Sequence, residues 1–192
     1  DSILKNNKDV VVNYVKNGGK YLGICMGAYW ADKDYFDILD DVRVVQYIKQ
    51  PNTCTRRPHA KNMPTNWFND HYEKMFFYDG PTFTGHGSYK TIAAYDTTGY
   101  PMAIKQNNIM LIGCHPESEQ FWYDSYSWLK GKYHNGTHHE ILLDLIDEFL
   151  ISRIDGVYDC DTYLPAAVFE LAYKKVDSYT EDGVNVERWI KF

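Results

Sequence analysis

A short apolar stretch, Tyr21 to Ile24, runs into Gly23-Ile24-Cys25-Met26-Gly27 and then into the helix-forming residues Ala28 to Asp32. A strand that turns at a glycine-flanked cysteine and leaves as a helix has the form of a nucleophile elbow. Such a turn holds its nucleophile on a sharp, strained bend at the carboxyl end of the strand. Flanking glycines let backbone pass where a Cβ would collide. A helix start favours a thiolate, and the Met26 amide can face a developing oxyanion. The same letters also spell a glycine-flanked core cysteine in a packed strand–helix turn.

A second feature weighs between these readings. Cys114-His115-Pro116-Glu117 follows another apolar strand, Ile109 to Gly113. A histidine at a strand's carboxyl end can accept a thiol proton, and a carboxylate two residues on can orient it. Alone, the segment reads more simply as a turn histidine and a solvated glutamate. Parallel α/β sheets gather their sites at the carboxyl ends of strands, so two such motifs in one chain favour chemistry.

Composition narrows the class. In 192 residues, 44% are hydrophobic and 24% charged, the balance of a globular chain with a real core. Twenty basic residues face 26 acidic ones and are scattered, which disfavours a nucleic-acid face. No apolar run approaches the roughly 18 residues that span a bilayer. Aromatics reach 16%, with 17 Tyr and 5 Trp, implying aromatic-rich packing or an aromatic-lined pocket. Cys25, Cys54, Cys114 and Cys160 form no CxxC pair and fall short of disulfide-scaffold density, so reduced thiols in the cytoplasm are expected.

Along the chain, Asn6 to Lys16 reads as a helix stopped by Asn17-Gly18-Gly19. Asp41 to Ile48, Glu73 to Tyr78, Tyr89 to Tyr95 and Tyr100 to Gln106 read as strands. Asn107-Asn108 turns the last of these into Ile109 to Cys114. Residues 49 to 71, polar and rich in Pro and Asn, read as a long surface loop. Thr137 to Glu140 is a capping box opening the stripe Ile141, Leu142, Leu145, Ile146, Phe149. Pro165 suits the first turn of a helix through about Val176, and Val184 to Phe192 suits a strand. His134, His138 and His139 cluster near a helix start. A solvated start is the simpler reading there, and no metal site or cofactor is expected.

The elbow and the later His-Pro-Glu together resemble the class I glutamine amidotransferase-like superfamily. Within it, Gly18-Gly19-Lys20-Tyr21-Leu22-Gly23-Ile24-Cys25-Met26-Gly27-Ala28-Tyr29 is similar to the family named for the N-terminal domain of biotin–protein ligases. Tyr78-Asp79-Gly80-Pro81 and Leu111 to Glu117 fit it too. The resemblance spans about residues 5 to 150. It implies Cys25 as nucleophile, His115 as base and Glu117 as orienting carboxylate. Where glutamine amidotransferases continue the elbow with His-Gln, this chain has Ala28-Tyr29. Where peptidases of a sister branch place a His after the Cys, it has Met26.

The expected fold is therefore α/β: a flavodoxin-like, mainly parallel sheet with a β-rich insertion and a helical C-terminal extension, its first strands apparently missing. Residues 1–155 would form the amidotransferase-like domain, N-terminally incomplete, and residues 156–192 the extension. The expected site comprises Cys25, His115 and Glu117, with Met26 at the oxyanion and Gly27, Tyr29 and Trp122 at the pocket. The expected function is Cys-dependent hydrolysis of a small amide. The alternatives are a ligand-binding or regulatory domain without turnover, and a structural role. Expected partners are a small-molecule amide and neither nucleic acid nor membrane. A homo-oligomer, or a partner segment supplying the missing strands, stays open.

Overall fold

Four apolar residues make a strand too short to stand alone, and Tyr21–Ile24 (β1) finds its partner far along the chain. In the computed structural model, which describes residues 7–54, 57–67, 71–150, 173–181 and 184–191, β1 lies parallel to Ile109–Ile112 (β8). Tyr21 sits opposite Ile109 and Ile24 opposite Ile112. Every residue of β8 is buried, as expected of a strand covered on both faces.

Helix α1, Lys8–Lys16, precedes β1 and buries Val15. It ends where Gly18 turns left-handed at φ +90°, and the side-chain amide of Asn108 donates to the Val15 carbonyl at 2.8 Å. The hairpin turn before β8 thus fastens the loop before β1. Helix α2, Met26–Trp30, follows β1 directly. Just beyond it, Asp32 is 4% exposed, takes a two-pronged ion pair from Arg43 with both contacts at 2.9 Å, and accepts the Val44 N–H at 2.8 Å. Those contacts draw strand β2, Val42–Gln46, against the helix end.

The remaining strands are β3 (Ala60–Trp67), β4 (His71–Tyr78), β5 (Pro81–Gly85), β6 (Lys90–Tyr95) and β7 (Pro101–Gln106). One sheet runs β1-β8-β7-β6-β3-β4, and β2 pairs with β5 in a second. The mainly parallel sheet expected from the elbow is not what the described strands form. Of the five pairings in the six-stranded sheet, only β1–β8 is parallel. The reason lies in the connections. Parallel neighbours need a long crossover, whereas β3 and β4, β6 and β7, and β7 and β8 follow one another with only a few residues between and must run antiparallel. The result is a mixed sheet with few helices, consistent with an α/β amidotransferase-like fold.

Residues 49 to 71 are not one long loop, because they contain β3. Pro64 and three asparagines between residues 62 and 70 weaken the local strand signal. The ladder to β6 engages only Thr65 to Trp67, leaving Pro64 at its end, where the lack of an N–H costs least. After β8 come α3, Gln120–Asp124, and α4, Thr137–Leu150. Helix α4 does not use the Thr137 capping box: it starts at Thr137 itself, and the Gly136 carbonyl accepts the Glu140 N–H. The cap is the His134 ring, whose Nδ1 accepts the N–H groups of Gly136 and His138 at 3.2 Å each.

Contacts divide the chain into two units, Asp1–Leu143 and Asp144–Phe192. The second contains the antiparallel hairpin β9 (Tyr173–Glu181) and β10 (Val184–Lys191), with a bulge at Arg188/Trp189. Tyr173 to Val176 was expected to end a helix but is strand. Tyr173, Val176 and Tyr179 recur at a helical spacing, yet the segment pairs antiparallel with β10, Tyr173 opposite Lys191 and Tyr179 opposite Val186. The start of that expected helix, from Pro165, lies outside the described residues. Val184–Lys191 is the strand expected of the tail.

Aromatics build much of the first unit's core. Tyr47 stacks on Tyr95 with centroids 3.8 Å apart, and Phe77 meets both edge-on. Phe76, Ala60, Tyr123 and Leu129 form a separate cluster beside Trp122 and Tyr126. Each buried ring of this kind contributes about 1.5–3 kcal/mol through its removal from water.

Candidate active site

Cys25 sits between β1 and α2 with φ +47° and ψ −100°, a region that L residues rarely enter and that costs on the order of 1–3 kcal/mol. Its N–H donates to the Ile112 carbonyl at 2.8 Å, extending the parallel ladder by one step. Its carbonyl accepts the Ala28 and Tyr29 N–H groups. Of the two glycines, only Gly23 is demanded by space. A Cβ there would lie 2.6 Å from the Gly27 carbonyl oxygen and 2.9 Å from the Ala28 nitrogen, whereas one on Gly27 would meet nothing within 4 Å.

Because Cys25 bonds to Ile112, it lies beside the chain that continues into His115. His115 is largely enclosed, its side chain 13% exposed. Its Nδ1 and Glu117 Oε1 are 2.8 Å apart, and its backbone N–H donates to the Phe76 carbonyl at 2.8 Å. Burial opposes charge on this ring, but the Cys25 sulfur and the Glu117 carboxylate outweigh it and push the pKa up to about 9. Both groups favour the protonated ring. With Nδ1 on the carboxylate, Nε2 is the nitrogen left for the sulfur. Phe76 and Trp122 pack edge-on against the ring at 6.0 and 5.2 Å.

A close backbone contact aligns the third wall. A Cβ on Gly80 would lie 1.9 Å from the Gly113 carbonyl oxygen, and one on Gly113 would lie 2.4 Å from the Pro81 carbonyl oxygen. With both side chains absent, the turn after β4 presses against the end of β8. The Tyr78 carbonyl then accepts the Cys25 thiol at 3.7 Å. His59 pairs with Asp79 at 2.5 Å and stacks on Tyr78.

These elements line an open cavity of about 450 Å³. Cys25, Met26 and His115 line one side, Phe76 and Tyr78 come from β4, and Phe121, Trp122, Ser125 and Tyr126 come from α3 and the turn after it. Of the residues expected from sequence, Cys25, His115, Met26 and Trp122 meet at this cavity, and Glu117 stands behind His115. Gly27 and Tyr29 are not among its lining residues. Tyr29 turns its hydroxyl to the Asp79 carbonyl at 2.9 Å, and burial, with Cys25 and Asp79 nearby, raises its pKa. The sequence reading missed Phe76, Tyr78, Phe121, Ser125 and Tyr126. A signal existed for Ser125: four residues after Phe121, it shares that residue's helical face.

The remaining candidates have structural occupations. His134 donates from Nε2 to the Ser118 carbonyl at 2.9 Å while Nδ1 caps α4, so neither nitrogen offers a lone pair to a metal. His138 is 2% exposed and faces Glu73 at 3.1 Å. Burial, and then His134, drive its pKa down to about 4. Among the described residues no group of three or more His, Cys, Asp or Glu could hold a metal ion. Nor is any helix among them long and apolar enough to cross a membrane. Cys114 is fully buried, its thiol pushed well up by that burial, and the described cysteines are all free.

A cysteine on a strained turn and a histidine backed by a carboxylate thus line one cavity. Comparison with known proteins agrees with the fold. Residues 2–45 match the family described as biotin-protein ligase, N terminal. A glutamine amidotransferase from Thermotoga maritima is similar over 78% of this chain and 70% of its own, at 14% identity and a TM-score of 0.56. Another solved glutamine amidotransferase is 19% identical over 57% of this chain, with a TM-score of 0.45. The chain spans 59% of that protein's length. No curated protein matches the sequence. The fold is thus similar to that of the Thermotoga maritima glutamine amidotransferase, and the match to the biotin-protein ligase N-terminal family includes the elbow.

Proposed function

We propose that this protein is a cysteine-dependent amide hydrolase or acyl transferase whose reacting groups are Cys25, His115 and Glu117. The observation that carries the reading is the shared cavity. Cys25 on its strained turn and His115 backed by Glu117 at 2.8 Å both open onto it, although they come from distant parts of the chain.

The Cys25 thiolate adds to the carbonyl carbon of a small amide. The Met26 N–H, at the first position of α2 and so outside the intrahelical ladder, faces the oxyanion. The carbon–nitrogen bond breaks as the imidazolium of His115 gives its proton to the leaving nitrogen, which departs as ammonia or an amine. A thioester remains on Cys25. Water adds to it while His115 takes the water's proton, the thiolate leaves, and a carboxylic acid is released. Glu117 holds the ring in register throughout.

The test is incubation of the full chain with a panel of primary amides, reading released ammonia and acyl adducts by intact mass. Turnover or a thioester on Cys25 is expected. It should vanish in Cys25→Ala and fall about a hundredfold or more in His115→Ala. A folded protein giving neither adduct nor ammonia across the panel would refute the reading. That result would favour a binding domain without turnover, the second reading. The Tyr29 contact supports this alternative, because its hydroxyl is committed to the Asp79 carbonyl and so is not offered to the cavity.

A further inference from the structure

We infer that the Cys25 pocket takes an amide bearing an uncharged substituent that is aromatic or bulky and apolar, rather than a free amino acid such as glutamine. This deepens the proposed function and rests on Cys25 being an acyl-accepting nucleophile. The walls carry the argument. Of the nine described lining residues, five are aromatic. Apart from the reacting pair, none of the nine is acidic or basic. His115 has its charge matched by Glu117. The Ser125 hydroxyl already donates to the Phe121 carbonyl at 2.7 Å.

A free amino acid brings an ammonium and a carboxylate, and each loses part of its hydration against an apolar wall. Charges set there without partners are penalised, so a site built for a zwitterion places counter-charges in its wall. The described wall has none. It offers ring faces and edges instead. Phe76 meets Trp122 edge-to-face at 5.4 Å and 76°, and Phe121 meets Trp122 at 6.2 Å and 71°. A guest ring would extend this lattice in the geometry aromatic pairs prefer. At the mouth, Phe121 is 67% exposed and Met26 58%. Both bring apolar surface to the edge of a cavity whose size suits a drug-sized molecule.

Three chloroacetamides with the same reacting group test this on the full chain. They are chloroacetamide itself, its N-benzyl derivative, and a derivative carrying a free α-amino acid. In each, the Cys25 sulfur forms a bond to the methylene carbon, the carbon–chlorine bond breaks, chloride leaves, and the thiol proton passes to solvent. Labelling is followed by intact mass and peptide mapping, and each rate is divided by that of the same reagent with glutathione. The benzyl reagent should saturate and label Cys25 about tenfold faster than the other two. Phe121→Ala and Trp122→Ala should each lower that advantage about fivefold, the size of one or two lost aromatic contacts. Phe121 is exposed enough that its variant keeps the fold if the Trp122 variant does not. Preference for the amino-acid reagent, equal rates for all three, or an advantage untouched by either variant would overturn the specificity while leaving the nucleophile intact. Labelling of Cys25 no faster than Cys54 by any reagent would overturn the nucleophile reading, and the specificity with it.

Discussion

Replacing Glu117 by Gln removes a negative charge while keeping the side chain's volume and one oxygen able to face His115. The carboxylate oxygen lies 2.8 Å from Nδ1, which puts the two charge centres about 4 Å apart. At that separation and an effective dielectric of about 20, their attraction is about 4 kcal/mol. The Glu117 side chain is 35% exposed, so solvent screening reduces this to about 2 kcal/mol. That is about 1.5 pH units, which would bring His115 from about 9 to about 7.5. The consequence for stability has a definite sign. A histidine raised from 6.5 to about 9 on folding contributes about 3 kcal/mol that is fully present below pH 6.5 and disappears as pH rises through 9. In Glu117→Gln most of that loss should be absent. Titration of the His115 ring by NMR, with urea midpoints measured between pH 6 and 9.5, reads both effects. A ring that titrates within about 0.3 units of the wild-type value, or midpoints with an unchanged pH slope, would refute the claim that Glu117 stabilises the imidazolium.

Two further outcomes follow from the geometry. Gly23→Ala should cost several kcal/mol, on the order of 3 or more, because its Cβ meets fixed backbone at 2.6 Å. Gly27→Ala should be neutral or stabilise helix α2 by about 0.5–1 kcal/mol, since nothing lies within 4 Å of the added carbon. Thermal melts of the pair decide this, and equal losses would show that the elbow does not bend as described. His138, held neutral by burial between His134, His139 and Glu73, behaves in the opposite sense to His115. The unfolded chain takes up its proton below pH 6.5 and the folded one only near 4, so stability should fall across that window by up to about 3 kcal/mol. His138→Gln should flatten that acid-side slope in urea titrations, and a slope equal to wild type would count against the assignment.

The residues proposed to react were legible because each sits in a local motif. The turn at Cys25 is written in the strand, glycine and helix that surround it, and His115 and Glu117 are two residues apart. Those signals survive without knowledge of the rest of the fold. The pocket wall was less legible because a non-local contact creates it. Nothing near Gly80 announces that it will touch Gly113, yet that contact brings Tyr78 to the thiol. Strand β3 was hidden by its own composition, since pairing on both sides overrides the weak propensity of its Asn- and Pro-containing sequence. Sheet direction was misjudged for a related reason. The elbow reports on one parallel pair, and the turn lengths that fix the remaining pairings have to be read separately. At α4 the Thr137 to Glu140 box was a true local signal displaced by a competing cap, the His134 ring.

The single hydrogen bond from the Cys25 N–H to the Ile112 carbonyl ties chemistry to the order of folding. The loop it closes runs through β2 to β8, so the entropy of gathering that chain has to be met before sulfur and imidazole can face each other. A nascent or partly unravelled molecule therefore lacks the shared cavity. Under the chemistry proposed above, Cys25 labelling reports native topology as well as the site.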